Sequence, residues 1–338
     1  MIRRCLFLPF VLIFATAFSQ QPESKSLQET AKNYTRQGDY SNAIMVLTGA
    51  IQKDPQNLEL LKDLAFNYYL QKDFAKGINI ARSLTERADA DVQSFQIAGM
   101  LYKGVDEAKE CERLYKTGIK KFPQSGVLYN EYGEMLWARQ DNAAIRQWEK
   151  GIEVDPGFSS NYYNASRYYY FTNDKLWSIL YGEIFVNLES YSRRTAEIKD
   201  VLLESYKKLY ADGDVMKDQA AKSPFAIAVL NMFSDLRPAV AQGITTESLV
   251  VLRTKFILGW FEKYPTTYPF RLFDYQRQLL KEGMFDAYNQ WIFGAAENLT
   301  SFQAWTNTHG DDYKRFISFQ QGRVFKLPEG QYYQAAGK

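Results

Sequence analysis

A period of 34 residues constrains this chain more than any other feature. Leu27, Leu61, Phe95, Tyr129 and Tyr162 are separated by 34, 34, 34 and 33 residues. A small residue follows each of them four positions later: Ala31, Ala65, Gly99, Gly133 and Ser166. Three positions further stand Tyr34, Tyr68, Tyr102, Leu136 and Tyr169. A second small-residue series is Ala43, Gly77, Cys111, Ala144 and Ser178, and a closing series is Pro55, Asp89, Pro123, Pro156 and Ser190. The one-residue deletion falls in the same place in every series, between Leu136 and Ala144. A fixed period of this length means stacked units, each too small to bury its own apolar face.

Within each unit, apolar or small residues recur at i, i+3, i+4 and i+7 in two blocks, which predicts two helices. A turn separates the blocks, Gln37-Gly38-Asp39-Tyr40 in the first unit and Gln71-Lys72-Asp73-Phe74 in the second. Where a unit ends in Pro, the missing N–H stops its second helix. The small residues are expected where two helices cross closely, with Tyr and Phe filling the space beside them.

The segment Asn33 to Asn57, NYTRQGDYSNAIMVLTGAIQKDPQN, closely resembles a tetratricopeptide repeat. The resemblance covers residues 24–192 in five consecutive units. The second unit ends in Ala88-Asp89 where the family usually has Pro, and the fifth keeps the spacing while changing several signature residues. The resemblance implies an all-α fold, a right-handed α-solenoid of helix hairpins followed by further irregular helical hairpins. It also implies that the first helix of each hairpin lines a concave face. Phe66, Tyr69, Met100, Asn130, Glu134, Trp137, Tyr163, Arg167 and Tyr170 should then point inward as a partner-binding groove. An aromatic stripe with a few polar groups suits a bound peptide segment or helix; packing against a neighbouring helix is the other use of such a stripe. Gln28 and Lys32 stand where the family's carboxylate clamp would begin, so binding of a chaperone tail is not expected.

Arg193 to Tyr210 is a further amphipathic helix, expected to cap the array, with a connector at 211–214. Residues 213–326 read as irregular helices, including Thr246 to Lys263 and a decayed hairpin over 269–298. The end of the chain, residues 327–338, reads as a loosely packed or disordered tail.

Met1-Ile2-Arg3-Arg4, the apolar run Leu6 to Phe14 and the small residues Ala17 and Ser19 have the layout of a secretory signal peptide cleaved after Ser19. No later stretch is apolar and long enough to cross a bilayer. The expected location is therefore outside the cytoplasm, secreted or periplasmic. Without Arg3 and Arg4, the 41 Lys plus Arg become 39 and balance the 39 Asp plus Glu. That net charge of zero argues against a nucleic-acid partner.

With 2 Cys and 1 His, neither a His/Cys zinc site nor a disulfide framework can be built. Gly-rich phosphate loops and GxSxG elbows are absent, so no cofactor is expected. His309 lacks a recognisable nucleophile, Glu131 and Glu134 read as a solvated helix face, and Asp212, Asp214 and Asp218 lack the Gly and Glu of a calcium loop. Cys111 sits in a small-residue packing position, and the Asn-x-Ser/Thr triplets at Asn33 and Asn164 lie inside predicted helices, unlike that at Asn298. The function these features imply is non-enzymatic: an adaptor of the cell envelope, resembling secreted or periplasmic members of the family. The alternative is carbohydrate binding or processing by the aromatic-rich region from Trp260 to Trp305, with sugars stacked on Trp291 or Trp305.

Overall fold

Hairpins with the repeat's spacing account for the first part of the computed structural model, which describes residues 17–217 and 223–334. The expected signal peptide lies outside these residues as far as Thr16, and the first helix begins at Ala17. The chain forms two units, Met1–Lys121 and Phe122–Lys338. No β-strand occurs among the described residues.

Unit 1 consists of α1 (Ala17–Arg36), α2 (Tyr40–Lys53), α3 (Leu58–Gln71), α4 (Phe74–Glu86), α5 (Val92–Gly104) and α6 (Ala108–Lys121). Consecutive helices pack on one another, and α3 also touches α5. Side chains of Asp39, Asn57, Asp73 and Asp91 accept backbone N–H groups at the starts of α2, α3, α4 and α5. Such caps satisfy donors that the first helical turn leaves free. The turn inside each hairpin needs one left-handed residue: Gly38 (φ 78°), Lys72 (φ 64°) and Asp106 (φ 56°) fill it at 34-residue spacing. The small-residue series has the expected cause. A Cβ on Gly99 would lie 2.1 Å from the Tyr115 hydroxyl. Ala31, Leu47, Ala50, Leu60 and Leu64 make the core where α1, α2 and α3 meet.

Unit 2 continues with α7 (Gly126–Ala138), α8 (Ala144–Val154), α9 (Ser159–Phe171), α10 (Lys175–Leu188) and α11 (Arg193–Ala211). Then come α12 (Pro224–Asp235), a 3-10 turn at Arg237–Val240, α13 (Thr246–Lys263) and α14 (Arg271–Lys281). The chain ends with α15 (Phe285–Asn289), a π-helical turn at Gln290–Gly294, α16 (Ala295–Glu297), α17 (Leu299–Thr308) and α18 (Gly310–Gln321). The left-handed residue between α7 and α8 is Gln140 (φ 60°), again 34 residues after Asp106. Helix α11 lies against both α9 and α10, the relation α9 has to α7 and α8. It therefore holds the place of the first helix of another hairpin and is itself covered by α16 and the π turn.

Helix α10 is buried at every residue from Lys175 to Asn187. A wholly buried helix must also bury its polar side chains, and two of these, Glu183 and Asn187, are bonded to the C-terminal helices. The Glu183 carboxylate accepts from the Arg253 guanidinium of α13, from Gln276 of α14 at 2.5 Å and from Tyr288 of α15 at 2.8 Å. Arg253 also donates to Asn289, and Asn187 donates to the Tyr288 hydroxyl at 2.7 Å. Burial works against the Arg253 charge, but Glu183 beside it holds the guanidinium firmly protonated.

The expectation of a loose tail is corrected as far as the described residues reach. Residues 322–334 run back over unit 2 without helix. Arg323 stacks over Tyr275 and donates to Asn187, and Phe325 is buried. Gln331 accepts the Arg271 N–H at the start of α14. Tyr333 stacks on Phe225 with centroids 4.4 Å apart and donates to the Pro269 carbonyl. Aromatic burial and two strap-to-backbone bonds hold a segment expected to be loose as a chain end. Residues 335–338 lie outside the described part.

Candidate partner-binding surface

The nine sequence-derived groove residues fall in both units, three in the first and six in the second. In unit 1, Phe66 and Tyr69 lie on α3 with stacked rings 6.3 Å apart, and Tyr69 also meets Phe74 of α4 at 6.1 Å. Both are half-buried, as is Met100 on α5. The polar tie between these helices is Lys62, whose buried side chain reaches Glu59 and Asp91, each at 2.6 Å. Burial disfavours its charge, yet hydrogen bonds to Asp91 and Glu59 outweigh this and leave its pKa above the ordinary lysine value.

In unit 2 the six residues occupy successive turns of α7 and α9, as helical spacing requires. Asn130 is buried and spent on a tie between these helices: Asn164 donates to it at 2.9 Å. Asn130 and Asn164 both donate to Glu134, whose residue stays exposed. Trp137 meets Trp148 and Tyr168 edge-on at 6.1 and 5.4 Å and keeps 37% of its surface open. The Tyr163 ring meets the guanidinium groups of both Arg167 and Arg194, at 5.1 and 5.0 Å. Its hydroxyl donates to Glu197 at 2.7 Å, and Arg167 pairs with the same carboxylate at 2.9 Å. Burial, then the bond to Glu197, raise the Tyr163 pKa, so it remains a neutral donor. Tyr170 carries the Lys208 ammonium over its ring at 3.7 Å and touches Phe171 at 5.2 Å.

The side-chain hydrogen bonds, ion pairs and ring contacts described for these six residues all run to residues of α7–α11. The C-terminal helices pack instead on α10 and α11. Four functional candidates escaped the sequence reading: Phe171, 68% exposed, and Lys208, Arg194 and Glu197 on α11. The signal for the last two was present. Arg194 stands 34 residues after Ser160 and Glu197 stands 34 after Tyr163, and both pairs are bonded.

The other candidates have structural uses. Cys111 is buried, with its thiol near the Gly99 carbonyl at 3.9 Å. Asn33 and Asn164 sit inside α1 and α9, whereas exposed Asn298 caps α17 by accepting the Ser301 N–H. His309 is exposed and stacks on Trp305 at 4.6 Å. Trp291 is 5% exposed, under the Lys199 ammonium at 3.8 Å and beside Tyr288 and Phe316. A buried indole has no free face for a sugar, so the carbohydrate reading loses Trp291, and the His309 ring covers one face of half-buried Trp305. Among the described residues no cluster of three or more His, Cys, Asp or Glu could hold a metal ion. No helix among them is long and apolar enough to cross a membrane.

Residues 34–97 match the tetratricopeptide repeat family model. No curated protein matches the sequence. Among solved structures, a thermophilic tetratricopeptide-repeat protein of Thermus thermophilus, TTC0263, is similar at a TM-score of 0.44 and 11% identity, covering 53% of this chain and 99% of that one. MamA of Desulfovibrio magneticus RS-1 is similar at a TM-score of 0.38 and 12% identity, covering 50% of this chain and 94% of that one. Another MamA structure has a TM-score of 0.38 and 16% identity, covering 57% of this chain and 96% of that one.

Proposed function

We propose that this tetratricopeptide-repeat protein is a non-enzymatic adaptor that holds a protein segment against α7, α9 and α11. One observation carries the reading: large aromatic side chains near the ends of α7 and α9 stay open on rigid helices. Trp137 and Phe171 keep 37% and 68% of their surface exposed, whereas Trp148, Trp177, Trp260 and Trp291 are all buried. Exposed aromatics on a fixed scaffold make good anchors, because they bury much area while losing little conformational freedom on binding. Around them Glu134, Arg167, Glu197 and Lys208 supply the polar contacts that would fix a partner's register. The layout of residues 1–19 supports export, so the adaptor would act in the periplasm or outside the cell, on an envelope protein.

A displayed library of random peptides, panned on the full-length chain and on a Trp137→Ala/Phe171→Ala variant, tests the binding reading. Peptides enriched on the parent and lost on a variant that retains its helical circular dichroism would support it. Absence of enrichment, or equal enrichment on both, would overturn it. Export is tested separately by cell fractionation and N-terminal sequencing; a cytoplasmic chain with residues 1–19 intact would refute it.

A further inference from the structure

Glu149 is a buried carboxyl group in unit 2 whose neighbours are tyrosines and an amide. It lies on α8 and is 9% exposed. Tyr169 of α9 donates to it at 2.7 Å and Tyr181 of α10 at 3.4 Å. Its other polar neighbours come from the end of the chain. The Gln334 amide donates to the Tyr169 hydroxyl at 2.6 Å, one bond from the carboxyl group, and Tyr332 and Gln334 both act electrostatically on Glu149. The lid over this carboxyl is thus a short segment of extended chain. Its anchors are Gln331 on the start of α14 and the Tyr333 ring on Phe225.

We propose that residues 331–334 form a proton-gated strap, docked over Glu149 while that side chain is protonated and lifting when it ionises. The proposal goes beyond the adaptor reading and does not rest on it. The ionisable groups facing Glu149 are Tyr169, Tyr181 and Tyr332, with Asp174 at the start of α10 adding like charge. Tyr168 also feels its charge, and Glu153 faces Tyr332 from the next turn of α8. Ionised Glu149 would therefore be held by neutral donors beside further acidic groups. Burial pushes its pKa up, and the tyrosine bonds only partly oppose this, leaving it at about 7 against the ordinary 4.5.

Lifting the strap lets water reach the carboxylate, which returns it toward its ordinary value. The docked state then has the raised pKa. Its protonation stabilises docking fully below the ordinary carboxylate range, and that stabilisation is lost as pH rises through about 7. With those two values the docking equilibrium weakens about tenfold between pH 6 and pH 8. Lifting uncovers the Phe225 face that Tyr333 now covers, together with Tyr268 and Phe270 beside it.

Hydrogen exchange of the full-length chain tests this, read as protection factors for peptides covering 323–334 after correction for intrinsic exchange. Protection should fall about tenfold from pH 6 to pH 8 in the parent. It should stay level in Glu149→Gln, which cannot ionise. Tyr332→Phe leaves Glu149 in place and removes a hydroxyl that matters most to the carboxylate, so it should weaken protection more at pH 8 than at pH 6. Equal protection at both pH values in the parent would overturn the proposal. The same fall in Glu149→Gln, or an equal loss at both pH values in Tyr332→Phe, would overturn it too.

Discussion

Trp137 and Trp148 touch each other and offer a controlled comparison of anchor and core. Trp148 is 1% exposed, donates its indole N–H to the Asn130 carbonyl at 3.3 Å and fills the space beside Gly133. Trp137 keeps 37% of its surface in water, so a little under two thirds of it is buried. Taking about 200 Å² for a whole indole side chain, Trp137 hides roughly 130 Å², worth about 3 kcal/mol at ~25 cal/mol per Å². Because the site opens to solvent, Trp137→Ala leaves no sealed void, and the expected loss is about 2–3 kcal/mol. Trp148→Ala removes the full area and opens an enclosed cavity, for about 4–5 kcal/mol. Urea unfolding followed by circular dichroism measures both. A peptide selected on the parent chain, titrated against each variant under folding conditions, supplies the second readout. Trp137→Ala should weaken that peptide by about 2 kcal/mol or more, as truncated anchors do. If Trp137→Ala destabilises the fold as much as Trp148→Ala, or leaves peptide affinity unchanged, Trp137 is a core residue and the proposed surface must be withdrawn.

Three further outcomes follow from the same geometry. Gly133→Ala places a Cβ 2.3 Å from the Trp148 ring nitrogen and should cost about 1–3 kcal/mol, whereas Gly49→Ala meets nothing within 4 Å and should stabilise α2 by about 0.5–1 kcal/mol in the same unfolding assay. Lys72→Gly and Gln140→Gly relieve left-handed backbone at the hairpin turns, each raising stability by up to about 1 kcal/mol; a loss in both would show that the turn contributes no strain. Arg253→Met leaves the Glu183 carboxylate buried without its cation, at a cost of about 3–5 kcal/mol in thermal unfolding, and a cost below about 1 kcal/mol would contradict the burial of this pair.

The hairpins were legible because close helix crossing leaves a mark in the sequence. Gly99 and Gly133 each face a ring, Tyr115 and Trp148, which no larger residue would allow. The C-terminal half left no such mark. Glu183, Arg253, Gln276 and Asn289 have the composition of a solvated surface, yet all are buried in one hydrogen-bonded network. Which polar residues meet inside depends on distant contacts, as between Tyr288 and Glu183, 105 positions apart, and no local period encodes them. The strap was obscured for the same reason. Gln331, Tyr333 and Gln334 find their partners at Arg271, Phe225 and Tyr169, far away in sequence.

The fifth hairpin shows why the repeat signature fades one helix before the repeat geometry does. A repeat signature records which positions are buried between like neighbours. Helix α10 has unlike neighbours, buried from Lys175 to Asn187 and bonded to α13, α14 and α15 through Glu183, so its signature residues are replaced. Helix α11 has its own different covering, the π turn and α16, with Lys199 over Trp291 and Tyr206 against Phe293. The period survives there only on the face that still meets the preceding first helix. Ser160 with Arg194, and Tyr163 with Glu197, are polar pairs 34 residues apart, and both are made. Apolar series thus report burial, while polar pairs at the same interval report the solenoid's geometry after burial has changed. Read by that second criterion, the candidate surface of unit 2 does not end at Tyr170. It continues onto α11, where Arg194, Glu197 and Lys208 bracket the rings of Tyr163 and Tyr170.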